Sequence, residues 1–182
     1  LNPEAKTITK ARPDLYIDLS AVAKGYGVDV LSHKLLEMGY PDHMVEIGGE
    51  VVCHGMNPQG KTWRIAIEKP DAKLGAIQEI LELKNMAMAT SGDYRNYYEK
   101  DGQRLSHTID TRTGRPITHK LASVTVLEPS CARADALATA LNVLGPQEGL
   151  ALAEKEKIAA FFLIRSDNGQ FEEKWTASFT SL

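Results

Sequence analysis

The chain of 182 residues carries 21 Lys plus Arg against 24 Asp plus Glu, a net charge of −3 with a pI near 6.0, so it lacks the basic footprint of a nucleic-acid binder. Its 43% hydrophobic content supplies a substantial core and argues against a disordered chain. The longest apolar run, over 158–164, is of strand length and falls well short of the ~18 to 20 residues that a membrane-spanning helix needs.

The opening residues, LNPEAKTITKARPD, contain neither an initiator Met nor a charged-then-apolar leader, which predicts that the true N-terminus lies upstream. Residues 15–19 read as a short strand ending at Asp18, with Ser20 as a candidate N-cap. From Ala21 the apolar positions Val22, Tyr26, Val30, Leu31, Leu35 and Met38 recur at helical spacing, and Gly39 stands where a helix would stop. The spacing predicts a helix over 21–38. Residues 43–47 read as a strand that resumes over 51–54, and the intervening Gly48-Gly49 predicts a bulge or a close approach of ligand.

Alternation predicts strands over 63–67 and 80–83 across a turn-rich KPDAKLGA segment, followed by a strand over 86–90 that runs into Ser91-Gly92. Residues 94–98 and 105–109 pair in a predicted hairpin across Lys100-Asp101-Gly102. A β-branched strand over 121–127 leads to Ser130 as the cap of a helix reaching about Leu144. Gly145 follows, then a second helix over 147–155, a strand over 159–165 and a turn over 166–169. With no repeat or linker, residues 1–182 read as one α+β unit. Cys53 and Cys131 lack CxxC spacing and read as core thiols.

Several side chains have the spacing of a working site. Asp135 and Thr139, four apart in a small-residue helix, share a face and can point at one hard cation such as Mg²⁺. Asp135 is equally compatible with a carboxylate placed against a helix N-terminus. His107, three residues before Asp110 and ahead of a Thr113–Pro116 turn, has the chemistry of a general base, or is a structural imidazole. The helix start at Ser20 and Ala21 offers free N–H groups with Lys24 one turn in, a generic anion site. Asp29 either accepts from a base amino group or faces solvent. Thr90, Ser91 and Gly92 supply hydroxyl and backbone donors or form an ordinary turn. KGYG over 24–27 is neither a Walker loop nor a dinucleotide fingerprint, and no GxSxG elbow is present.

Four segments in order, DLSAVAKGYGVD, VEIGGEVVCHG, ATSGDYRNYYEKDGQRLSHTIDTRTGRP and ADALATALNVLG, closely resemble the FAD:protein FMN transferase family, the ApbE-like flavin transferases, over about residues 14–165. The resemblance implies an α+β fold of mixed or antiparallel sheets with packed helices, related to the T-fold. It also implies an Mg²⁺-dependent transferase that splits FAD, releases AMP and attaches FMN through a phosphoester to a Thr or Ser of an acceptor protein. By the same resemblance Asp135, Thr139 and the Ala21 carbonyl hold the metal, and Lys24 steadies the pyrophosphate as a catalytic and binding residue. Asp29 holds the adenine end, and His107 takes the acceptor's proton. Glu46, Gly48, Gly49, Thr90, Ser91 and Gly92 complete the FAD site together with Thr139, His107 and Ala21.

The family carries a sizeable segment before DLGGIAKG, part of the flavin pocket. The N-terminal part is therefore expected to be absent, making the chain a C-terminal portion that holds the phosphate site and binds the isoalloxazine poorly by itself. Ser20-Ala21 stands where the family has Gly-Gly, and Thr111 where it has Pro. Family members are commonly periplasmic lipoproteins, which implies a bacterial membrane reached only through a lipid anchor upstream. Two other readings share the motifs: an FAD pyrophosphatase yielding FMN and AMP, and a non-catalytic FAD-binding module.

Overall fold

The computed structural model describes residues 1–70, 77–92, 97–100 and 103–180. Helix α1 spans Ser20–Glu37. β1 (His43–Ile47) and β2 (Glu50–His54) form a hairpin, and β3 (Trp63–Glu68) pairs with β4 (Ile77–Leu83) as a separate ribbon. Next come β5 (Met86–Gly92), the hairpin β6 (Tyr97–Lys100) and β7 (Gln103–Ser106), and the short pair β8 (Ile109–Asp110) and β9 (Arg115–Pro116). β10 (Leu121–Glu128), α2 (Cys131–Lys155), β11 (Ala159–Arg165), β12 (Phe171–Trp175) and α3 (Ala177–Thr180) complete the order.

The main sheet has six strands in the order β1-β2-β5-β10-β11-β12, and every neighbouring pair is antiparallel. The alternation along β11 explains its continuous apolar sequence. Ala160, Phe162 and Ile164 pack with the helix-side cluster of Leu121, Val124, Val126, Ala138 and Leu141, whereas Ala159, Phe161 and Leu163 pack with Ile67, Leu83 and Met88 beneath the β3–β4 ribbon. A strand covered on both faces needs apolar residues at both parities. Each fully buried side chain of the size of Phe162 or Leu141 contributes about 1.5–3 kcal/mol. A third cluster, Val28, Val52, Ala87 and Cys131, seats α1 on the sheet beside the start of α2.

Asn142 is the exception in this core. It is fully enclosed on α2, and neither Nδ2 nor Oδ1 has a hydrogen-bond partner. An unmet buried amide costs about 1–3 kcal/mol, a cost that a leucine of similar size does not carry. Asn142→Leu is therefore expected to raise the melting temperature by about 2–6 °C, read by a thermal melt. A lower melting temperature would mean that a buried water satisfies the amide.

Most predicted elements are present with ends moved by one to three residues. The break after Leu144 is real: Gly145 has φ 77° and ψ −175°, and the helix resumes on Pro146. Ser130 caps α2, its side chain accepting from Arg133 N–H. Four expectations need correction. Residues 15–19 form no strand, because Leu15, Tyr16, Ile17 and Leu19 are exposed and find no partner strand among the described residues. Ser20 is not the cap of α1 but its first helical residue. The Ser20 N–H donates to Asp18 Oδ1 at 2.7 Å.

Gly48-Gly49 is neither bulge nor interruption but a two-residue hairpin turn. Ile47 pairs with Glu50 across it, and both glycines have positive φ (58° and 100°), as such a turn requires. The β6–β7 hairpin pairs Tyr97 with Ser106 and Lys100 with Gln103, so His107 lies just past the strand and Ile109 belongs to the β8–β9 turn. Residues 94–96 and 101–102 of that predicted hairpin lie outside the described residues, as do 71–76 of the KPDAKLGA turn. β12 was not anticipated; its FEEKW sequence is that of a charged edge strand, held to β11 and by Trp175 stacking on Phe161.

Candidate functional site

α1 and α2 cross closely at Gly25. A Cβ at Gly25 would lie 2.3 Å from the Cys131 carbonyl oxygen and 2.8 Å from Ala132 Cα. This crossing brings two distant motifs together. Gly25 N–H donates to Asp135 Oδ2 at 3.0 Å, and Asp29, one turn further along α1, accepts from Ser130 Oγ (2.8 Å), Cys131 N–H (2.8 Å) and Ala132 N–H (3.0 Å). Asp29 thus caps the N-terminus of α2, where a carboxylate also opposes the positive end of the helix dipole.

A groove of about 970 Å³ opens beside this crossing. Its floor carries Ala21 and Lys24 from α1 with Asp135 and Thr139 from α2. One wall is the β1–β2 turn, with Glu46, Gly48, Gly49 and Glu50. Another is the end of β5, with Thr90, Ser91 and Gly92. His107 and Thr108 close the rim, and Ile65, Ala66 and Glu68 of β3 line the far side. Sequence reasoning placed these residues in one site except Glu50, Thr108 and those of β3, and it did not anticipate Asp18, Val51, Met88, Ile109, Thr111 and Val143, which line the same groove. Asp29 is the expected site residue that does not line the groove.

The buried charges lie where the floor meets the β1–β2 wall. Asp135 is 5% exposed and Glu50 2%. Burial pushes the Asp135 carboxyl above its ordinary range, against the Gly25 hydrogen bond and the Lys24 charge that pull it back. Burial likewise raises Glu50; the Lys24 ammonium opposes that shift and the Asp135 charge adds to it. Lys24 Nζ lies 2.6 Å from Glu50 Oε2. Elsewhere the polar groups are partly committed. Thr90 Oγ1 shares a hydrogen bond with Thr125 Oγ1 (2.8 Å), and Glu46 Oε1 accepts from Gly49 N–H (2.9 Å). Asp110 is engaged by Arg112 through its backbone N–H (2.8 Å) and Nε (3.1 Å), and Arg112 also reaches Glu148. Hydrogen bonds from Arg112 hold the Asp110 carboxyl below its ordinary range.

The anion site predicted at the start of α1 is also altered, since Asp18 takes the Ser20 N–H and itself lines the groove. Hydrogen bonds from Ser20 lower the Asp18 carboxyl. Both thiols are buried, free and pushed up by burial to about 12, which fits their reading as inert core residues. No helix among the described residues is long and apolar enough to cross a membrane.

A metal would meet an all-oxygen donor set here: the Asp135 carboxylate, the Thr139 hydroxyl and the Ala21 carbonyl. Gly25 N–H is the group that would bond the Ala21 carbonyl in a regular helix, and Asp135 competes for it. Among the described residues no cluster of three or more His, Cys, Asp or Glu could hold an ion. The set therefore suits a hard cation that keeps water and takes substrate oxygens, and the enclosed Asp135 carboxylate fits such an ion.

A model of the ApbE family matches residues 1–162. An FAD:protein FMN transferase of Vibrio cholerae (strain O395) is 50% identical over 179 residues, covering 98% of this chain and 53% of that protein. One from Haemophilus influenzae is 48% identical over 182 residues, covering 100% of this chain and 52% of its own length. The solved flavin transferase ApbE from Vibrio cholerae superposes with a TM-score of 0.84 at 49% identity, over 93% of this chain and 53% of that structure. The chain thus spans about half the length of the curated relatives it matches. A family match over most of the sequence, near-half identity and a shared antiparallel fold agree with the motif order around the groove: the chain belongs to the ApbE family.

Proposed function

We propose that this chain carries the phosphate-binding and proton-transfer half of an FAD:protein FMN transferase. The observation that carries the reading is the groove itself. It gathers Lys24, Asp135, Thr139, His107 and the Thr90–Gly92 donors from four separate stretches of sequence, with Lys24 and Asp135 on its floor and the imidazole at its rim. The names of the relatives support the same activity.

In this reading Asp135, Thr139 and the Ala21 carbonyl hold a divalent cation, with Mg²⁺ favoured by the oxygen donors. When bound, the cation neutralises the diphosphate and stabilises charge on the leaving phosphate. Lys24 presents its ammonium to the same diphosphate, while Ser91 and Gly92 offer hydrogen bonds along it. His107 accepts the proton of an acceptor Thr or Ser hydroxyl, whose oxygen forms the new bond to the FMN phosphorus as the phosphorus–oxygen bond to AMP breaks. AMP leaves with the electron pair. A positioned base of this kind contributes about 10²–10⁴-fold. The acceptor is a protein with an exposed Thr or Ser, and the reading places the reaction in the bacterial periplasm, to be checked by fractionating cells that express the complete gene.

The test is FAD turnover followed by flavin fluorescence and AMP release, with Mg²⁺ or with EDTA, in the presence and absence of an acceptor protein. Metal-dependent AMP release with FMN bound covalently to the acceptor is expected. Free FMN at the same rate with or without acceptor would make the protein a pyrophosphatase. FAD binding without cleavage would make it a binding module.

A further inference from the structure

Glu50 is the one strongly buried charge in the groove that the proposed reaction leaves without a task. It opens β2 directly after the Gly48-Gly49 turn and is 2% exposed. Its Oε2 is enclosed, and the Lys24 ammonium sits 2.6 Å away as its partner. The pair is one-sided: the lysine side chain is 45% exposed and the glutamate side chain 2%. The carboxylate is therefore fixed in the wall and the ammonium stands at the groove surface. The turn fits over them closely, since a Cβ at Gly48 would lie 3.3 Å from Lys24 Cδ and 4.0 Å from Glu50 Oε2. Glu46, the other acid of the same motif, is exposed and spends one oxygen on the turn at Gly49.

A buried carboxylate is costly and persists where a partner and a purpose hold it. Lys24 is a flexible ammonium on a four-carbon stem, and left to solvent it would meet a phosphate from many rotamers. We propose that Glu50 is a positioning residue that fixes Lys24 Nζ on the groove floor beside Asp135, so that the ammonium meets the diphosphate of a flavin dinucleotide from a preset place; this rests on the dinucleotide reading above. With Glu50 paired to Lys24, the Asp135 carboxylate on the floor still attracts a cation.

Two measurements on Glu50→Gln and Glu50→Asp test this, with thermal melts to show that each variant is folded. The first is the rate of amine acetylation at Lys24 relative to the exposed Lys61, read by mass spectrometry without any ligand. Glu50→Gln is expected to raise that ratio about fivefold or more, and Glu50→Asp to restore part of the protection. An unchanged ratio would overturn the proposal whatever the protein does with FAD.

The second is affinity for FAD and for inorganic pyrophosphate, alone and on a Lys24→Met background. Glu50→Gln is expected to weaken both by about tenfold in the wild-type background, to raise KM more than it lowers kcat, and to change little once Lys24 is gone. Equal weakening in both backgrounds, or none in either, would overturn the proposal. If the unsubstituted protein binds neither FAD nor pyrophosphate, the dinucleotide reading fails and this proposal with it, whereas an unchanged acetylation ratio sinks the Glu50 assignment alone.

Discussion

Gly25→Ala is expected to lower the melting temperature by about 10 °C, a loss of at least about 3 kcal/mol. The added methyl group would sit 2.3 Å from the Cys131 carbonyl oxygen, 2.7 Å from its carbon and 2.8 Å from Ala132 Cα. All three are backbone atoms, so no side-chain rotation relieves the clash and α1 must separate from α2. That separation strains the bonds that cross the same contact: Gly25 N–H to Asp135, and the three donors that Asp29 accepts at the start of α2. Damage to the fold and to the site therefore arrive together. Gly27→Ala is the internal control. Its Cβ would meet only Ile47 Cδ1, at 3.1 Å, the movable end of a side chain. There the gain in helix propensity, up to about 1 kcal/mol, offsets a small adjustment, and the melting temperature should change by no more than about 3 °C. If thermal melts show the two variants alike, the close crossing at Gly25 is wrong.

The contrast between these glycines shows where sequence reading stops. The apolar spacing after Ala21 was enough to place α1, and the glycine within KGYG registered only as an absent phosphate loop. Its purpose lies in a partner more than a hundred residues away, which no local pattern encodes. Asp29 illustrates the same limit from the other side. One turn beyond Lys24 it reads as a ligand contact or a solvated acid, and nothing local shows that both its oxygens accept from the N-terminus of α2. Gly48-Gly49 could be read as a bulge because strand register is a property of pairing, and only the Ile47–Glu50 pair makes it a turn.

What was legible followed from strong local signals. The Gly145-Pro146 break, the Ser130 cap and the apolar run of β11 each leave a mark in adjacent residues. Asp135 and Thr139 were legible as a pair because helix periodicity alone puts them on one face. Glu50 was not, since an acid between two glycines and a valine run carries no sign of being buried. The charged FEEKW edge and the isolated β8–β9 pair lacked any periodicity long enough to declare a strand.

Asp135→Asn is expected to lower metal-dependent FAD cleavage by about 10²–10³-fold while leaving the metal-free protein as stable as the parent or more so. The two effects have one cause. Asp135 is 5% exposed and burial raises its carboxyl above the ordinary value, so the folded chain holds a proton there that the unfolded chain releases. The charge penalty is absent well below pH 4, where the group is neutral in both states, grows as pH climbs from the ordinary aspartate value to the raised one, and is constant above that. Asparagine keeps an oxygen for Gly25 N–H and carries no charge. The melting temperatures of the two proteins should therefore converge as pH falls below about 4 without metal, and the variant should gain as pH rises from there toward 7. Mg²⁺ should raise the melting temperature of the parent at pH 7, because it compensates the buried charge, and should do little for the variant. His107→Ala separates chemistry from binding in the same assays. It should lower turnover by about 10²–10⁴-fold while keeping FAD binding and the Mg²⁺-dependent rise in melting temperature, because the imidazole is exposed at the groove's edge and the proposed reaction gives it the acceptor's proton and not the cation or the diphosphate. A variant at Asp135 that keeps the metal response, or one at His107 that loses it, would reverse the division of labour between floor and rim.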